Sequence, residues 1–132
     1  MISLTLAREL RRLGVRWQPA PGDRFLVDEP EMVDSVFWVS DFTIEAHQYA
    51  GESVLGFNGT TEWALDSVAV DACLWLPRED QLRELLGSLL LRLERVDDGW
   101  RVVTRVSGGA DLITVADDAE TAYAQALGSA LD

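Results

Sequence analysis

The spacing of apolar residues along this chain changes period four times, and that order of periods restricts the fold more than any single motif. Leu6, Leu10, Leu13 and Trp17 recur at i, i+4, i+7 and i+11, one stripe of a helix. Between residues 24 and 76 the pattern shortens to strand-like runs. Helical spacing returns from Leu82 to Leu90, strands resume to residue 115, and a small-residue helix follows. Helices and strands come in blocks rather than alternating singly. The spacing therefore predicts an α+β fold, with antiparallel sheet (a meander plus a hairpin) covered by about three helices. At 132 residues and 48% hydrophobic content, a single domain over 1–132 can bury a core without a metal or disulfide.

Local signals place the elements. Ser3 can cap the first helix, and Gly14-Val15 suits a left-handed stop with an apolar contact behind it. Pro19-Ala20-Pro21-Gly22 opens a loop, and a strand is expected over 24–27. The meander comprises 36–40, 43–49, 52–57 and 60–65, turning at Ala50-Gly51 and Asn58-Gly59, with a further strand over 71–76. Pro77 opens a helix with Leu82, Leu85, Leu86, Leu89 and Leu90 inward, and Gly87 falls in its last turn or just beyond. An Asp98-Gly99 turn would pair Arg95 with Val102 and collect Leu91, Leu93, Trp100, Val102 and Val106 on one face. After Gly108-Gly109 comes a strand over 111–115. Asp117 and Glu120 then form a capping-box pattern for a helix over 118–131. Ala119, Ala122, Tyr123, Ala126, Leu127 and Ala130 give that helix a face that can lie close on a sheet.

Five tryptophans stand against one histidine, one cysteine and no lysine. Large apolar anchors are plentiful, while side chains that titrate near neutrality are scarce. Lysine nucleophiles and Schiff bases are closed to this chain. Cys73, alone and set between Ala72 and Leu74, cannot form an internal disulfide and reads as a buried, inert thiol. No phosphate-cradling loop, dinucleotide fingerprint or nucleophile elbow occurs, so no cofactor is expected. Met1-Ile2-Ser3 lacks the head of a secretion signal, and no apolar run approaches about 18 residues. The expectation is a cytoplasmic protein without membrane insertion.

The net charge of -12 is unevenly distributed. Residues 1–20 carry four arginines and one glutamate, or +3; residues 21–77 one arginine and eleven acids, or -10; residues 78–132 six arginines and eleven acids, or -5. The acidic middle repels phosphate, so no nucleic-acid binding is expected. An acidic decoy for a DNA-binding protein is the exception to weigh. Arg8, Arg11, Arg12 and Arg16 lie off the apolar stripe and make the first helix basic on its outside. They form a candidate contact helix, neutralised within the chain or by a partner.

With the meander turns as drawn, Trp38 lies opposite Glu45, His47 faces Val54, Glu45 faces Gly56 and Val54 faces Trp63. One sheet face would gather Trp38, Glu45, His47, Thr61 and Trp63 as a candidate binding face. Glu45 and His47, two apart on a strand, point the same way, as general acid–base work requires. The competing reading is a solvated sheet face without chemistry. Glu62, Asp66 and Asp71 could offer oxygens to a divalent cation, but their spacing matches no calcium loop and no metal is assigned.

The tract Gly56-Phe57-Asn58-Gly59-Thr60-Thr61-Glu62-Trp63-Ala64-Leu65-Asp66-Ser67-Val68, then Leu74-Trp75-Leu76-Pro77-Arg78-Glu79-Asp80-Gln81-Leu82, joins Trp17-x-Pro19-x-x-Gly22-Asp23-Arg24-Phe25 near the start. Together they resemble small acidic actinobacterial proteins filed under a pilus-assembly label, over nearly the whole chain. That resemblance implies an accessory or regulatory role in pilus assembly. It does not imply ATP hydrolysis, which needs a phosphate loop with a lysine. The sequence thus points to a non-enzymatic interaction domain whose partner is another protein or a second copy of itself. The alternative is a small ligand-binding protein or enzyme using Glu45 and His47.

Overall fold

The structure is a computed structural model. It describes residues 1–39, 44–49, 52–57 and 67–132, and of 44–49, 52–57, 67 and 68 the backbone alone. In chain order the elements are α1 (Leu4–Arg12), β1 (Arg24–Val27), β2 (Phe37–Trp38), β3 (Ile44–Tyr49), β4 (Glu52–Phe57), β5 (Ser67–Ala69), β6 (Cys73–Trp75), α2 (Glu79–Leu86), β7 (Leu90–Val96), β8 (Gly99–Thr104), β9 (Leu112–Ala116) and α3 (Ala119–Leu131). Three antiparallel ladders result among the described residues, ordered β2-β1-β6, β3-β4-β5 and β7-β8-β9. This is the α+β fold expected. The chain groups into two compact units, residues 1–15 with 77–132 and the inserted segment 16–76.

In the first unit, α1 starts where Ser3 Oγ accepts the Leu6 amide at 3.1 Å. It ends as Gly14 turns to φ +104° and the Val15 amide reaches back to the Leu10 carbonyl at 3.0 Å. Trp17 lies beyond that stop, so the apolar stripe ends at Leu13. Helix α2 buries Leu82 and Leu86, and at Gly87 the backbone takes φ +55°. The chain then passes through a one-turn 3-10 helix, Gly87–Leu89, into β7. Leu89 and Leu90 therefore leave the helix they were expected to extend.

The β7–β8 turn is Asp97-Asp98, pairing Val96 with Gly99, Arg95 with Trp100 and Leu93 with Val102. This is two positions from the expected register, a shift that preserves faces, so Leu93, Trp100 and Val102 still share one side. A bulge between Leu90 and Arg92 resets the pairing beyond it. Gly99 is needed beside the turn rather than in it, because a Cβ there would sit 2.2 Å from the Ala116 carbonyl oxygen. Helix α3 is capped by Asp118, one residue later than expected. Its carboxylate accepts the Thr121 amide at 2.8 Å and the Thr121 hydroxyl at 2.9 Å. Of the small-residue face, Ala122, Tyr123, Ala126 and Leu127 are buried, Ala119 is half-buried and Ala130 is exposed, and α3 lies against β8, β9, α2 and α1.

In the second unit, β1 is the central strand of its ladder. Phe25 is opposite Phe37 on one side and Trp75 on the other, and Val27 is opposite Cys73. Phe25, Val27, Val39 and Cys73 form a small core with Trp17, Met32, Phe37 and Val70 against it. The Trp17 ring sits 5.1 Å from that of Phe25. Burying such rings is worth roughly 1.5–3 kcal/mol each, and it is this aromatic cluster that brings residues 17, 25 and 37 together.

Asp23 ties the entry loop to that cluster. At 3% exposure, its Oδ2 accepts the Trp17 indole N–H at 2.9 Å and the Ala20 amide at 3.0 Å. In the other ladder Glu45 pairs with Gly56 and His47 with Val54, as the turn at 50–51 implied. Val54 also pairs with Ala69 of β5. The Asn58-Gly59 turn and the expected strand over 60–65 lie outside the described residues.

Candidate functional site

Of the face drawn from the meander, the structure describes three positions. Trp38 pairs with Arg24 of β1, in a different ladder from Glu45. Its ring is 53% exposed, and the Arg24 guanidinium stands 5.7 Å from the ring centroid. A stacked cation on an exposed indole covers one ring face, an arrangement that is stabilising without any ligand. Glu45 and His47 hold their expected register positions on β3. Thr61 and Trp63 lie outside the described residues. The long-range pairing of β2 was misread because it is fixed by the Phe25–Phe37 contact, whose rings lie 5.5 Å apart, and not by a local turn.

The α1 arginines are largely engaged. Arg12 meets Glu9 through two hydrogen bonds, Nε to Oε2 at 2.9 Å and Nη2 to Oε1 at 2.5 Å. That pair raises the Arg12 pKa and lowers that of Glu9, chiefly through its side-chain hydrogen bonds. Arg8, Arg11 and Arg16 have partners too. The basic exterior read from the sequence is therefore at least partly neutralised within the chain, one of the two expectations for it. Cys73 is buried, its thiol pushed up to about 12 by desolvation and set 3.6 Å from the Ala69 carbonyl oxygen. That matches the inert thiol expected.

Asp71 is exposed, while Glu62 and Asp66 lie outside the described residues. Among the described residues no group of three His, Cys, Asp or Glu side chains is placed to hold a metal ion, and no helix is long and apolar enough to cross a membrane.

The strand expected over 111–115 is β9, Leu112–Ala116, which the sequence pattern did not mark as a contact surface. It is the outer strand of its ladder among the described residues. Its side chains alternate, with Leu112, Thr114 and Ala116 half-buried and Ile113 and Val115 exposed at 57% and 55%. Large aliphatic side chains exposed to that degree, side by side on one strand face, waste the burial for which such residues are used. Just inboard, Glu94 of β7 binds Arg101 of β8 at 2.5 Å and also meets Arg92. These hydrogen bonds, first that from Arg101, hold the Glu94 carboxyl below the usual carboxylate range.

On that face Val103 of β8, opposite Ile113, is buried, and Arg101, opposite Val115, shares the single Glu94 carboxylate with Arg92. Outward amides of an edge strand can pair with an added strand, and apolar side chains along that edge can bury against it. Asp111 and Asp117, both exposed, adjoin the two ends of the strand. The signal was present in Asp111-x-Ile113-x-Val115-x-Asp117. Whether the strand is central or at an edge is not a local property, so it could not be weighted.

Comparison of the chain with protein-family models, curated proteins and solved structures found no match.

Proposed function

We propose that this protein is a non-enzymatic, cytoplasmic interaction domain that contacts another protein through the outer edge of β9. The observation that supports this reading is the exposed Ile113–Val115 pair on a strand that is the outer one of its ladder among the described residues. On the resemblance to pilus-assembly-labelled proteins, its service is accessory to that process. Self-association through α1 is the competing arrangement, weakened by the Arg12–Glu9 pairing within the helix.

The full chain, tagged and recovered from its native host, is expected to bring down a stoichiometric partner. Ile113→Asp/Val115→Asp should lose that partner at least about tenfold, since each exposed aliphatic side chain buried at a contact is worth 1 kcal/mol or more, while circular dichroism stays unchanged. Arg8→Glu/Arg12→Glu should retain it. The reverse pattern, or a partner indifferent to both pairs, would refute a β9 contact.

A further inference from the structure

We draw no further inference here: the strongest candidate, the exposed Ile113–Val115 pair on the outer strand of the β7-β8-β9 ladder, belongs to the contact edge already described, and nothing in the structure shows what covers it.

Discussion

Replacing Gly99 with alanine is expected to destabilise the unit containing β7–β9 by about 3 kcal/mol, the upper part of the range for forced overpacking. The new Cβ would lie 2.2 Å from the Ala116 carbonyl oxygen, 3.0 Å from the Ala116 carbonyl carbon and 3.2 Å from the Asp117 Cα. All three are backbone atoms, so no side-chain rotation relieves the clash. Relief requires moving the end of β9 away from Trp100, which Ala116 faces across the ladder. Gly109 supplies the control, since a Cβ there meets nothing within 4 Å and Gly109→Ala should change stability by less than about 0.5 kcal/mol. Thermal unfolding should place Gly99→Ala roughly 10 °C below the parent. A neutral substitution would mean that the close approach of β8 to the end of β9 is wrong.

Asp23→Ala is expected to cost the inserted unit about 3 kcal/mol. The carboxylate is buried at 3% exposure and accepts both the Trp17 indole N–H and the Ala20 amide. Hydrogen bonds to a charged acceptor are worth roughly 1.5–3 kcal/mol each, and truncation strands two donors near a small aromatic core. Trp17→Phe should cost less, about 1–2 kcal/mol, because it keeps a ring over Phe25 and deletes only the N–H and part of the area. A double-mutant cycle in urea should show the two substitutions coupled by at least about 0.5 kcal/mol. Additive effects would show that the Trp17–Asp23 bond does not hold the entry loop. Because the chain groups into two units, each variant should be read from the transition it moves.

Much of this architecture could be read from local chemistry. Ser3 and Gly14 bound α1, and the Ala50-Gly51 turn correctly implied Glu45 opposite Gly56 and His47 opposite Val54. These features are set within a few residues, where side-chain capping and strand alternation act. The β7–β8 turn was placed one residue late, because Asp98-Gly99 is the stronger turn signal while Gly99 is required against Ala116. The α2 leucine pattern continued past Gly87, but the chain did not follow it into a further helical turn. Pairing of β2 with β1 rests on Phe25, Phe37 and Trp17 meeting across the chain, a contact that no local period announces. For the same reason the candidate site was sought around Trp38, while the apolar edge at Ile113 and Val115 went unmarked.

Amide hydrogen exchange of the full chain, with and without the partner recovered from its native host, tests the edge contact most directly. Added protection is expected at the outward amides of residues 112–116, with none gained over α1, residues 4–12. Protection confined to α1, or β9 amides that exchange as fast with the partner as without it, would contradict a protein that works through the β9 edge.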